Sequence, residues 1–248
     1  MKRSILAAAA LLAILALPAI AGQRPRDIVD VKSIIPDLVV DMRYLTPRNF
    51  IGEPIEGYHA AKCLLTRRAA EALKRVADEL RPQGYLLKVY DCYRPQRAVD
   101  QFVRWGRDLK DQRMKPEFYP KVDKRRLFYS GYIASRSGHS RASTVDLTIV
   151  PQNAPQPAIP PGAKIRACDP VWSERLPDAS VDMGTGFDCF STRSHTRTKS
   201  IDADQRANRQ ILYQAMRKYG FRNNPSEWWH YTLRNEPYPR TYFDFPVE

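Results

Sequence analysis

Apolar residues first fall into helical spacing after Thr66. Ala69, Leu73, Val76 and Leu80 recur every three or four positions, which predicts the buried face of a helix that Thr66 can cap and that ends near Arg81-Pro82. The next segment, YLLKVYD (Tyr85 to Asp91), is a short, largely apolar run and reads as a buried strand. Pro95 suits the first turn of a second helix, where its missing N–H has no partner to lose, and Val99, Phe102 and Val103 then face inward. VDLTIV (Val145 to Val150) is β-branched and apolar, a further strand. A last helix runs from about Ala203 to Tyr219 and stops at Gly220, which readily takes the left-handed conformation past a helix end. WWHYTL (Trp228 to Leu233) alternates like a strand.

Between the VDLTIV strand and the last helix lies PQNAPQPAIPPG (Pro151 to Gly162), with five prolines in twelve residues. Such a stretch can hold neither a helix nor a central strand, so Pro151 to about Ser180 is expected to be an excursion over the surface. Strands and helices in mixed order, without a repeating βαβ unit, indicate an α+β fold: one domain, with a central, mostly antiparallel sheet flanked by helices. The beginning of the chain is different. Lys2 and Arg3 precede an apolar run from Ile5 to Leu17, and Ala19-Ile20-Ala21 is a small-x-small cleavage site, the pattern of a secretory signal over residues 1–21. The run is shorter than the roughly 20 apolar residues of a membrane span. Removal after Ala21 leaves residues 22–248, enough for one domain with a sizeable core.

Export changes what the charge and the cysteines mean. The formal charge of +13, less the two charges of Lys2 and Arg3, leaves +11, a surface with weak attraction for the anionic polymers and headgroups of a bacterial envelope. The basic residues are scattered, as in KVDKRR (Lys121 to Arg126), and no nucleic-acid motif accompanies them, so a solvated basic face without nucleic acid is expected. Cys63, Cys92, Cys168 and Cys189 are an even set, for which an oxidising compartment makes disulfides plausible. Proximity in sequence favours Cys63 with Cys92 and Cys168 with Cys189, and the free state stays open.

The chemistry lies in two short segments. In SGHSRASTVDLTIV, His139 sits in a small-residue loop seven positions before Asp146; in SEWWHY, Glu227 precedes His230 by three. Taken singly, a histidine beside an aspartate is usually a structural hydrogen bond, and a Trp-Trp-His-Tyr cluster is usually core. Together the segments hold two imidazoles and two carboxylates, the inventory of a catalytic zinc site with three protein ligands and a fourth position for water. If WWHYTL is a strand, Glu227 and His230 would point to opposite faces, so Glu227 is expected in a turn or bulge after Pro225, leaning back over the metal.

These residues sit in longer motifs: YDCYRPQRAV (Tyr90 to Val99), SGHSRASTVDLT, DMGTGFD (Asp182 to Asp188), TRSH (Thr192 to His195), EWWHY and NEPYPRTYFDFPV (Asn235 to Val247). In these segments, in this order from about Asp27 onward, the chain resembles the D-alanyl-D-alanine dipeptidases, zinc peptidases related to the vancomycin-resistance dipeptidase. The resemblance implies one Zn2+ held by His139, Asp146 and His230, with Glu227 as general base and acid and Arg94 steadying the oxyanion. It further implies Asp188 and Tyr44 around the substrate's free amino end and Ser137 near the scissile dipeptide. His195 matches a motif histidine without an assigned role, for which a structural place is expected.

Two departures bear on specificity. Ala142 stands where the family usually has glycine, and the proline-rich excursion is longer than in compact members. The function implied is hydrolysis of D-Ala-D-Ala to two D-alanines in the periplasm or another exported location. A zinc D,D-carboxypeptidase or endopeptidase acting on peptidoglycan is the enzymatic alternative, and a non-catalytic envelope-binding protein the other.

Overall fold

A computed structural model describes residues 22–157, 163 and 166–248; the expected signal segment lies outside the described residues. Seven strands form two sheets: β1 (Ile28–Asp30), β2 (Val39–Val40), β3 (Leu64–Thr66), β4 (Tyr85–Asp91), β5 (Thr144–Pro151), β6 (Phe221–Asn223) and β7 (His230–Leu233). β1 and β3 pair by themselves, and the main sheet runs β2-β4-β5-β7-β6, antiparallel except for the short parallel edge β2–β4. With helices α1 (Arg67–Leu80), α2 (Gln96–Arg107), α3 (Lys115–Phe118) and α4 (Ala203–Lys218), the α+β expectation holds.

Local chemistry explains most boundaries. The Thr66 hydroxyl accepts from the Ala69 N–H at 3.3 Å and caps α1, whose Ala69, Leu73, Val76 and Leu80 are buried as the spacing requires. α4 opens with a reciprocal capping box between Asp202 and Gln205 and ends before Gly220, at φ +93°. Both α1 and α4 lie against the sheet and against each other. Val145, Leu147 and Ile149 of β5 join their apolar core, while the alternate Thr144, Asp146 and Thr148 are equally buried on the opposite face.

Three expectations need correction. Pro95 is the residue before α2 and not inside its first turn: its ψ of 147° is extended, and the helix begins at Gln96. The last strand begins at His230 and not at Trp228. The Trp228 N–H donates to Ser194 at 3.1 Å, away from the ladder, and the two indoles pack edge to face at 5.3 Å, so their alternation reflects anchoring of a turn. Finally, the excursion after Pro151 is not confined to the surface. The Val181 N–H donates to Ile149, Ser180 shares a hydrogen bond of 2.6 Å with Thr148, and Lys88 donates to the Asp178 carbonyl, so its last part roofs the polar face of β4 and β5.

Both favoured disulfides form, Cys63–Cys92 and Cys168–Cys189. The first ties β3 to the end of β4 across a separation of 29 residues. By loop-closure entropy, the Cys63→Ala/Cys92→Ala variant is expected to lose about 3–4 kcal/mol of stability, measured by urea unfolding.

Candidate metal centre and substrate cleft

The register of the main sheet assembles the site. Asp91 of β4 lies opposite Asp146 of β5, and Asp146 lies opposite His230 of β7, so three adjacent strands present these side chains in one row on one face. Asp91 reaches that row through a β-bulge. The β4–β5 register shifts between Val89 and Asp91; without the extra residue, Asp91 would share the apolar face of Val89. His139 comes from a single 3-10 turn, Gly138–Arg141, which precedes β5 and is capped by the Ser137 hydroxyl accepting from the His139 N–H at 3.2 Å. A Cβ on Gly138 would stand 2.7 Å from the Thr144 hydroxyl, so the close approach of this turn to β5 requires glycine. The turn ends on Ala142 at φ +56°, a left-handed position where its Cβ costs roughly 1 kcal/mol or more.

His139, Asp146 and His230 converge with one ligand atom each inside a 4.8 Å span. His139 Nε2 lies 3.2 Å from His230 Nδ1 and 3.2 Å from Asp146 Oδ2, and His230 Nδ1 lies 3.0 Å from Asp146 Oδ1. Two ligands at 2.0–2.1 Å from one tetrahedral ion are about 3.3 Å apart, close to these spacings. The tautomer of His139 fits as well: its Nδ1 lies 2.6 Å from the Cys92 carbonyl, which can only accept, so the proton sits on Nδ1 and Nε2 offers its lone pair to the centre. Asp146 Oδ1 is buried and has no hydrogen-bond partner among the described residues, although His230 is near, as expected of an oxygen aimed at a cation. Burial works to raise the Asp146 carboxyl, but the two imidazoles outweigh it and hold the group well below the usual carboxylate range.

Glu227 stands in the turn after Pro225, as expected, with Oε2 3.4 Å from His230 Nδ1. The Asn223 side-chain amide fixes that turn by donating to the Glu227 and His230 carbonyls, each at 3.0 Å. Burial pushes the Glu227 carboxyl up against the pull of His230. Arg94 faces two carboxylates at once. It forms a buried ion pair, donating Nε to Asp91 Oδ2 at 2.9 Å, and its Nη2 lies 3.7 Å from Asp146. Asp91 itself had no role in the sequence reading. It accepts from Tyr58 at 2.6 Å and lies 3.4 Å from His139 Nδ1, so it braces both Arg94 and His139. A carboxylate closing an apolar strand three residues before that arginine was the available signal.

Tyr44, Arg94, Ser137, His139, Asp146, Asp188, Glu227 and His230 all line one cleft of about 180 Å³. This is below the roughly 300–1,000 Å³ of pockets for drug-sized molecules, and suits something small. At one end the Tyr44 hydroxyl donates to Asp188 Oδ2 at 2.7 Å. Asp188 has no ion-pair partner among the described residues; burial and the nearby Asp146 charge raise it well above the usual carboxylate range. Its backbone is held at φ +56° between Phe187, which stacks on Tyr90 at 4.6 Å, and Cys189, which is disulfide-bonded to Cys168. The Tyr90 hydroxyl in turn donates to Asp178 at 2.6 Å, so the excursion braces this end of the cleft. Tyr90 and Asp178 were invisible in the sequence because they meet across 88 residues. His195 stands apart from the metal centre, half-buried, with its carbonyl accepting from Arg209 at 2.7 Å.

Comparison with known proteins agrees with this geometry. The family model for D-ala-D-ala dipeptidase, peptidase M15, matches residues 24–159 and 167–248. The chain belongs to this family of metallopeptidases. The break at 160–166 falls within the proline-rich excursion, where this member departs from the family pattern. The chain is 36% identical over 221 residues to the D-alanyl-D-alanine dipeptidase of Streptomyces coelicolor, covering 89% of this chain and 98% of that one. It is 36% identical over 209 residues to the Enterococcus faecium D-alanyl-D-alanine dipeptidase (84% and 92% covered), and 30% identical over 207 to that of Escherichia coli (84% of each). Membership makes the protein an enzyme, so the reading as a non-catalytic envelope-binding protein falls.

Metal linkage gives a direct check. A divalent ion supplied at a hundred times its dissociation constant should raise the unfolding free energy by about 2.7 kcal/mol, seen as an upward shift in thermal unfolding. Asp146→Ala should erase the response.

Proposed function

We propose that this peptidase M15 member is a zinc dipeptidase that hydrolyses D-Ala-D-Ala to two D-alanines. The observation that carries the reading is the pairing, in one small cleft, of a His-Asp-His triad flanked by Glu227 and Arg94 with an unpaired buried carboxylate, Asp188, at one end. Zinc is the ion that suits two imidazole nitrogens and one carboxylate oxygen. When bound, it would supply Lewis acidity, polarising the peptide carbonyl and acidifying water at neutral pH.

The side chains do the rest. Asp188, with the Tyr44 hydroxyl, receives the substrate's ammonium; the incoming positive charge offsets the burial that otherwise disfavours the ionised carboxylate. Glu227 takes the proton from the attacking water as its oxygen bonds to the carbonyl carbon, then delivers it to the amide nitrogen as the C–N bond breaks. Negative charge growing on the carbonyl oxygen meets the Arg94 guanidinium, which Asp91 and the rings of Tyr44 and Phe102, each 5.0 Å away, hold in place. Ser137 caps the His139 turn and lines the cleft beside it, near the scissile bond.

A carboxypeptidase or endopeptidase acting on the polymer would need a groove open beyond the amine end, where Asp188 and Tyr44 stand. One assay separates the readings. Glu227→Ala is expected to retain zinc and to lose about 10²- to 10⁴-fold in kcat on D-Ala-D-Ala, and the wild type should be nearly inert towards the N-acetylated dipeptide. Indifference to acetylation would refute a dipeptidase; full activity in the variant would refute the base.

The segment 1–21 supports export, and with it a part in wall-fragment turnover and D-alanine salvage, since an exported enzyme cannot reach the cytoplasmic dipeptide pool. Protein recovered from the cell envelope should begin at Gly22; recovery from the cytoplasm with Met1 intact would sink this location.

A further inference from the structure

A larger cavity, about 520 Å³, opens at the β6 edge of the sheet, outside the catalytic cleft. Four arginines line it, Arg197, Arg217, Arg222 and Arg234, together with His195, and no aspartate or glutamate does. We propose that this cavity is a second binding site, for a ligand carrying closely spaced phosphate or carboxylate groups.

The arginines come from four separate stretches of chain and border the same cavity at the sheet edge. Arg222 lies opposite Thr232 in the β6–β7 ladder, and the Arg234 N–H donates to Gly220 at 2.8 Å, so strand alternation puts Arg222 and Arg234 diagonally on one face. Arg217 shares a stripe of α4 with Tyr213, four residues earlier, and Arg197 follows the His195 turn. Some arginines of this protein are taken up by carboxylates, as Arg81 is by Asp37 and Asp78, and Arg141 by Glu236. These four have no ion-pair partner or side-chain hydrogen bond among the described residues, which leaves their guanidinium donors open to an anion from outside. The walls are partly apolar, with Phe221, Tyr231 and Pro225, which reduces the competition of water with guanidinium–oxyanion pairs. The volume lies within the roughly 300–1,000 Å³ of organic-ligand sites, well beyond one small ion.

The cavity backs onto the catalytic turn without joining the cleft. Asn223 lines the cavity and holds the Glu227 and His230 carbonyls, whereas its neighbour Asn224 lines the cleft. A bound anion therefore leaves the dipeptide's path free. This localises the diffuse attraction expected of a +11 chain to one built place.

Calorimetry on the metal-loaded protein tests the site, with short and long chains of poly(glycerol phosphate) and of N-acetylated poly-glutamate as probes. Binding by at least one probe is expected, weakened about tenfold or more in Arg222→Gln/Arg234→Gln, with D-Ala-D-Ala hydrolysis unchanged and uninhibited by the probe. Binding of short chains identifies a small ligand and binding of long chains alone a polymer. Arg67→Gln/Arg68→Gln, on the exposed start of α1, should bind as the wild type does. The proposal is overturned if no probe binds, if both double variants lose binding equally, or if the probe competes with D-Ala-D-Ala.

Discussion

Excess negative charge at a buried place governs the centre of this protein. Asp146, Asp188 and Glu227 line one small cleft, Asp91 stands beside Asp146 in the sheet, and Arg94 is the guanidinium that reaches both Asp91 and Asp146. Carboxylates withdrawn from water are costly unless paired. Tyr58 and Arg94 answer for Asp91, Tyr44 for part of Asp188, and the imidazoles for part of Asp146. What is left over is the negative charge that a divalent ion and an ammonium group would neutralise. The fold tolerates this arrangement because the apolar face of the same sheet is closed by α1 and α4 around a continuous core.

Placing those charges depends on local irregularities. A bulge in β4 turns Asp91 from the apolar to the polar face, and left-handed residues at Ala142 and Asp188 set the His139 turn and the Asp188 end of the cleft. Each costs something the surrounding structure must make good, the usual situation where side chains have to be aimed. At Ala142 the surrounding bonds are visible: its N–H donates to His139 and its carbonyl accepts from Thr66, the cap of α1. The helix cap and the His139 turn are thus one hydrogen-bonded unit.

The excursion after β5 takes part in building the cleft. A disulfide from Cys168 and a hydrogen bond from Tyr90 to Asp178 brace Phe187 and Asp188 from outside the sheet. The returning part of the excursion therefore stiffens the Asp188 end of the cleft, while the strands carry most of the His-Asp-His group.

The sequence alone determined the elements with strong periodicity or a clear cap, because spacing and capping are local: α1 after Thr66, the β4 and β5 strands, α4 before Gly220. It also supplied two imidazoles and two carboxylates in two short segments, and the family resemblance gave them their expected roles. It could not show that the strand in WWHYTL starts only at His230, because two buried tryptophans packed in the preceding turn give the same apolar signal. Nor could it show that Arg94 pairs with Asp91, that Tyr90 meets Asp178, or that four scattered arginines share one cavity. Those facts are settled by register, by a bulge and by chain segments far apart in sequence, and only the folded chain brings them within reach of each other.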